Sequence, residues 1–443
     1  MFWSSSESFA YNMQGKMNST GTLQVKIDSL AYGPYGIARH AERVVMVPLT
    51  VPGDEVEIRI IDEKQNYAVG EVVRLIQPSS LRVEPPCPYV GACGGCPWQA
   101  VGYEAQLRAK ATSVADALRR IGKLDGFKLL PIFSSPREYG YRRRIRLQTS
   151  DDKRLGFHRA LTHELIEIDS CIIAAPLVDR CIAQARDWAG KLKSTVRHVE
   201  IVASDDGDGV VLVGKLDGAP AAEDDATSRR FLESNPPIQA LVLFGRGFRR
   251  AWGQAKVWLD CEDGVRMEVD AEVFIQVNRD ANRRLAAELF QWGEFHDRDR
   301  ALELYSGAGN FTLPLARRVG EVVAVEGDPR AVENGRNNGK ANGIGNIRWI
   351  SAYVPNALNQ LRARGERFSK IVLNPPRSGA KGLEDDLASL GAEKIFYVSC
   401  NPTTLARDLA ALAKKGYKPT RIRPVDLFPH TFHIETLAEM VRE

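Results

Sequence analysis

The chain is 443 residues long, more than one hydrophobic core usually serves, so two or three domains are expected. A composition 44% hydrophobic and 26% charged, with a net charge of +4, is that of a soluble globular protein and excludes a disordered or fibrous chain. No apolar stretch is long enough to span a bilayer and the first residues lack the basic-then-apolar order of a signal peptide, which excludes a membrane partner and predicts a cytoplasmic protein.

"MFWSSSESFAYNMQGK", residues 1–16, reads as a disordered tail, with Met17 an alternative start. Residues 17–77 alternate apolar and polar over short runs, "LQVKIDSL", "RVVMVP" and "EVEIRIIDEKQNYAVGEVVRLI", punctuated by "YGPYGIA" and "VPGDEV". That alternation predicts a small antiparallel barrel. The module resembles the TRAM domain, an OB-like barrel that binds RNA; by itself it implies RNA contact and no chemistry.

Residues 78–270 read as a central α+β domain. It opens on "PPCPYVGACGGCPWQ", which brings Cys87, Cys93 and Cys96 together at C-x5-C-x2-C spacing. Thiolates so placed can hold zinc or an iron–sulfur cluster, and a reducing compartment disfavours a disulfide. Cys171, at the end of "ELIEIDSC", is the candidate fourth ligand, with Cys181 as a rival. A helical stretch covers 103–122, followed by strand-like, arginine-rich sequence. Arginine is bunched in "YRRRIR" (141–146), "GRGFRR" (245–250) and "RIR" (421–423), an arrangement that suits phosphate contacts, against the plainer reading of solvated strand edges.

From about 271 to 443 the period changes: "RALELYS", "EVVAVEG", "SKIVLNPP" and "KIFYVSC" alternate with helix-like segments, the pattern of a parallel α/β sheet. "ALELYSGAGNFTLPLA" (301–316) sets a strand before a Gly-x-Gly turn, so that the backbone at Gly307, Gly309 and Asn310 can approach a ligand closely. A dinucleotide fold would want a third glycine where Thr312 stands. Glu303, inside the strand, fits S-adenosylmethionine better, because that cofactor has no pyrophosphate and carries a positive amino group. Glu326 ends the next strand, placed to accept from ribose hydroxyls.

Two later strand ends, "IVLNPPRSG" and "FYVSCNP", place Asn374 and Cys400 at the same crevice. A thiol there narrows the chemistry. Nitrogen and oxygen acceptors have a lone pair for the methyl group, whereas C5 of uracil becomes nucleophilic only after addition at C6, which a thiolate performs reversibly. The C5 proton must then be removed, and "PVDLFPHTFHIETL" (424–437) supplies His430, His433 and Glu435 as candidate bases, among which sequence chemistry does not choose.

"LYSGAGNFTLPLA", "VVAVEGDPRAVENGRNNGKANGI", "YVSCNPTTLARDL" and "DLFPHTFHIET" together resemble the uracil-5 RNA methyltransferase family, and the likeness covers 17–443. The barrel and cysteine cluster resemble the branch that methylates 23S ribosomal RNA and carries a 4Fe-4S cluster. The resemblance implies Cys400 as nucleophile, Glu435 as base, Gln276, Tyr305 and Glu326 as contacts of S-adenosyl-L-methionine, and Cys87, Cys93, Cys96 and Cys171 as cluster ligands. It further implies that the helix near 100–125 packs on a Rossmann-like class I methyltransferase domain, and that the protein acts as a monomer on RNA.

Two positions depart from the family pattern: Asn374 replaces an aspartate, and Ser351 stands where relatives carry an acid toward the adenine. Asn374 keeps an acceptor oxygen and loses the charge. The alternatives to methylation of 23S rRNA are a tRNA uracil-5 methyltransferase and a non-catalytic RNA-binding or ribosome-assembly factor on the same scaffold.

Overall fold

The computed structural model describes residues 21–443; the expected tail, 1–16, lies outside the described residues. No helix among them is long and apolar enough to cross a membrane. The described residues divide into two compact units, one of 21–113, 157–166 and 428–433, the other of 114–156, 167–427 and 434–443. Both are discontinuous, and residues 78–113 group with the barrel rather than with a separate central domain.

In the first unit six strands form one sheet in the order Thr22–Lys26, Glu55–Glu63, Tyr67–Gln77, Arg43–Pro48, Tyr35–His40, Ser29–Leu30. Alternate residues point inward, and Val25, Ile27, Ala38, Val45, Val47, Val56 and Ile58 make its core. Gly36 is required where the sheet meets its neighbour, since a Cβ there would come within 2.2 Å of Thr50 Oγ1. The cysteine-bearing loop follows, anchored by Trp98, whose indole donates to the Gly33 carbonyl at 3.2 Å.

The second unit holds two large sheets. In the first, Arg144–Thr149, Val196–Ala203, Val210–Leu216, Ile238–Gly245 and Phe248–Gly253 are neighbours in that order. The second runs Ile347–Ser351, Glu321–Glu326, Arg300–Leu304, Lys370–Leu373, Lys394–Ser399, Glu435–Arg442, Tyr417–Val425, Lys128–Leu129. Its first five strands are parallel; the inner four are apolar runs buried along most of their length, and the edge strand Ile347–Ser351 is half-buried. Strand order reverses between Arg300–Leu304 and Lys370–Leu373, and a ligand crevice opens beyond the carboxyl ends at such a point. The strand Glu435–Arg442 then returns antiparallel beside Lys394–Ser399.

The end of the predicted helical stretch, Ala117–Ile121, packs on the helix Pro402–Ala413; a Cβ at Gly122 would lie 2.9 Å from the Ala406 carbonyl. That helix starts as its sequence dictates: the Asn401 side chain accepts from the Thr403 amide at 3.0 Å, and Pro402 takes the first helical position, where no amide is needed.

Candidate functional site

Cys400 follows the last residue of Lys394–Ser399, and Glu435 is the first of the antiparallel strand beside it. Ser399 pairs with Thr436, so Cys400 and Glu435, each one step beyond that pair, face one another at the end of the ladder. Burial pushes the Cys400 thiol up to about 12, the neighbouring Glu435 carboxylate adds to the rise, and the Arg377 guanidinium, hydrogen-bonded to the sulfur, pulls the other way. Glu435 is 3% exposed, and burial raises its carboxyl to about 8 against the same guanidinium. One cation thus favours the charged forms of both groups. Sequence reading passed over Arg377; its signal was its place directly after "NPP" at a strand end.

His430 and His433 belong to the first unit. The His430 amide and ring both bond the Gln106 side chain, at 2.8 and 3.2 Å, and its carbonyl accepts from the Trp98 amide at 3.0 Å. These are the contacts of a residue that holds a turn.

Tyr305, Gly307, Gly309, Asn310, Glu326 and Asn374 stand at or just beyond the carboxyl ends of the parallel strands. Tyr305 leaves its strand with φ +61°, an uncommon conformation for a non-glycine residue, and burial raises its phenol to about 12. Gly307 and Gly309 follow at φ +56° and +106°, where glycine is unstrained. The Gly307 amide donates to Glu326 Oε2 at 2.9 Å, and Glu326 Oε1 accepts from the Asp328 amide at 2.8 Å, which fixes that carboxylate and leaves each oxygen a further lone pair. Asn310 exchanges two side-chain hydrogen bonds with Asn282, at 2.8 and 3.1 Å. The Asn374 amide donates to the Leu304 carbonyl at 3.3 Å, tying the two strand ends that flank the crevice. Ser351 lies opposite Glu326 and is exposed.

Beneath them Glu303 is 2% exposed, and its Oε2 has no hydrogen-bond partner among the described residues. Burial raises this carboxyl to about 8. Between the ordinary value of 4.5 and about 8 the folded protein keeps a proton there that the unfolded chain has released, so stability falls as pH rises through that window. Glu303→Gln has no such proton to lose. Its melting temperature, relative to the parent protein, should therefore be higher at pH 8 than at pH 5; an equal difference at both would mean that Glu303 is ionised within the fold.

Several of the bunched arginines are paired within the fold, while Arg246 and Arg250 of the "GRGFRR" run are exposed. Arg143 pairs with Asp205 and donates to the Gln276 carbonyl at 2.8 Å; Arg144 pairs with Glu200 and donates to the Val273 carbonyl at 2.7 Å; Arg146 also pairs with Glu200. Arg249 pairs with Glu272, Arg421 with Glu439 and Arg423 with Glu288. A guanidinium that loses water needs a carboxylate and carbonyls in its place. The "YRRRIR" run therefore holds the backbone of the 273–278 loop, including that of Gln276.

Cys87, Cys93 and Cys96 lie half-buried in the loop of the first unit, and Cys171 in the second unit. The Cys93 thiol is raised by burial, partly offset by the Gly95 amide, which donates to its sulfur at 3.4 Å. Among the described residues no three Cys, His, Asp or Glu side chains group closely enough to hold a metal ion. Cys181 is fully buried, and burial alone raises its thiol to about 11, the behaviour of a packing residue.

Residues 262–442 match the family described as tRNA (Uracil-5-)-methyltransferase, and residues 23–81 match the TRAM domain of tRNA (uracil(54)-C(5))-methyltransferase. The 23S rRNA (uracil(1939)-C(5))-methyltransferase RlmD of Salmonella paratyphi A is 34% identical over 96% of this chain and 98% of its own. That of Vibrio parahaemolyticus is 32% identical over 94% of each. The solved structure of Pyrococcus abyssi tRNA (uracil-54, C5)-methyltransferase, in complex with S-adenosyl-L-homocysteine, superposes with a TM-score of 0.74 at 22% identity, over 95% of this chain and all of that one.

Proposed function

This chain belongs to the uracil-5 RNA methyltransferase family, and we propose that it methylates C5 of one uridine in 23S ribosomal RNA through a covalent adduct on Cys400, with Glu435 as the base. The observation that carries the reading is the facing pair, Cys400 and Glu435, at the end of one strand ladder with Arg377 against both. When bound, S-adenosylmethionine supplies an electrophilic methyl group. Glu303, Tyr305, Gly307, Gly309, Asn310, Glu326, Asn374 and Gln276 line the crevice proposed to hold it, and the buried, unpartnered Glu303 oxygen fits a cationic group.

The chemistry balances on the chain's own groups. Cys400 Sγ, as thiolate, bonds to C6, and the C5–C6 pair moves onto C5 and the adjoining carbonyl. C5 takes the methyl group as its bond to the donor sulfur breaks, the electron pair leaving with S-adenosylhomocysteine. Glu435 removes the C5 proton, the double bond re-forms, and the C6–S bond breaks to return the thiolate. No step needs a metal.

For the cysteine loop we propose an iron–sulfur cluster held by Cys87, Cys93 and Cys96 with Cys171. The support is the donor set, with three thiols close in sequence and one sulfur already accepting an amide hydrogen, a bond that stabilises a thiolate ligand. Its role is to order the RNA-binding part of the chain, which is proposed to act in the cytoplasm as a monomer. Protein purified without oxygen should show visible charge-transfer absorbance and bound iron and sulfide; zinc with no such band would overturn the assignment.

The test of the activity uses RNA carrying 5-fluorouridine. Fluorine at C5 cannot leave as a proton, so the enzyme should stall covalently on its target in a band that survives a denaturing gel. The RNA fragment names the site. An adduct on tRNA instead would favour the reading that the family descriptions name, and no adduct on either RNA would overturn the mechanism.

A further inference from the structure

The turn that carries Arg377 has no regular structure and Arg377 itself is exposed, yet its backbone is bound at nearly every residue. The Arg377 carbonyl accepts from Asn401 Nδ2 at 3.3 Å and Thr404 Oγ1 at 3.2 Å, and the Ser378 carbonyl from Arg407 at 2.8 Å. The Ala380 amide donates to Asp408 Oδ2 at 2.7 Å. All of these partners lie in the segment that follows Cys400.

Asp408 is the centre of this lattice. It is 5% exposed, its Oδ2 also accepts from the Tyr397 hydroxyl at 2.6 Å, and its Oδ1 takes Arg407 Nε at 2.7 Å. Tyr397 lies on the strand that ends one residue before Cys400, so one carboxylate joins the nucleophile's strand, the Arg377 turn and the next helix. The fit is close: Gly379 has φ +77°, and a Cβ there would sit 2.3 Å from Asp408 Oδ2. A buried carboxylate costs desolvation that an apolar side chain avoids, so filling space does not explain it. Its three donors do, because each fixes a segment of the site.

We propose that Asp408 is a positioning residue for methyl transfer, fastening the 374–380 turn to the helix after Cys400 so that Arg377 stays against Cys400 and Glu435. This rests on the roles given above to those two residues. The charged and titratable groups around the arrangement are Glu435 and Arg377 at the thiol, and Arg407, Tyr397 and Tyr305 at Asp408.

The test is steady-state methylation by full-length Asp408→Asn across pH, with 5-fluorouridine adduct formation and S-adenosylhomocysteine binding measured alongside. The expected result is kcat lower by about 10- to 100-fold, the cost of displacing a reacting group by about an ångström. KM and S-adenosylhomocysteine affinity should be unchanged, and the rate profile displaced to higher pH because the thiol has lost its cation. Tyr397→Phe removes one donor and should move the profile the same way by less; it decides the matter if Asp408→Asn does not fold. A parental pH profile and adduct rate in the variant that folds would overturn the proposal. Failure of the underlying mechanism is distinguishable, because the parent protein would then form no adduct.

Discussion

Replacing Cys400 by alanine should lower uridine methylation by roughly 10⁴-fold or more, as removal of a covalent nucleophile does when the rest of the machinery stays in place. C5 of uracil has no lone pair, so without addition at C6 even a well-oriented methyl donor finds no nucleophile. Binding should survive, since Cys400 is one half-buried side chain at a strand end and none of the crevice hydrogen bonds passes through it. The measurement is single-turnover methyl transfer, with RNA retention and S-adenosylhomocysteine affinity as controls. Loss of activity and of the fluorouridine adduct with both controls intact is the expected pattern. Activity within tenfold of the parent would remove Cys400 from the mechanism and leave its contact with Arg377 as packing.

The parallel half of the sheet was legible because each strand is a short apolar run ending in a turn signal, and the Asn401–Pro402 start of the following helix follows from local capping alone. What local pattern does not carry is partnership at distance. In "NGRNNGKAN" the sequence shows a polar helix face; the structure uses Asn334, Asn338 and Asn342 to bond the backbone of the strand Arg266–Asp270, standing in for a neighbouring strand. The same holds for the arginines. Charge runs suggested phosphate, but Glu200, which neutralises Arg144 and Arg146, lies more than fifty residues away in sequence.

The site divides along the same line. Cys400 and the glycine turn were legible from chemistry and spacing, because a thiol or a Gly-x-Gly at a strand end is a local fact. The choice among His430, His433 and Glu435 was not, since it depends on which strand pairs with Cys400's strand. The antiparallel register sets Glu435 opposite the thiol, and His430 and His433 belong to the first unit. Asp408 was invisible for the same reason, being joined to the Arg377 turn through the Ala380 backbone amide, which no residue pattern encodes.

Glu435→Gln should separate the two halves of the reaction. Glutamine keeps the size of the side chain and cannot take a proton, so addition and methyl transfer proceed while removal of the C5 proton slows by roughly 10²- to 10⁴-fold. Methylated RNA should therefore accumulate on Cys400 with ordinary, unfluorinated RNA, as a band on a denaturing gel whose RNA fragment carries the added methyl group. Burial sets the pH dependence. A carboxyl raised to about 8 is mostly protonated at neutral pH and in that form is far too weak a base to take the C5 proton, so the base-dependent rate of the parent enzyme should climb as pH rises through about 8. Arg377 opposes that rise, and Arg377→Gln should move the step further up. An adduct without the methyl group, or turnover by Glu435→Gln at the parental rate, would place the base elsewhere and leave Glu435 as the group that orients the thiol.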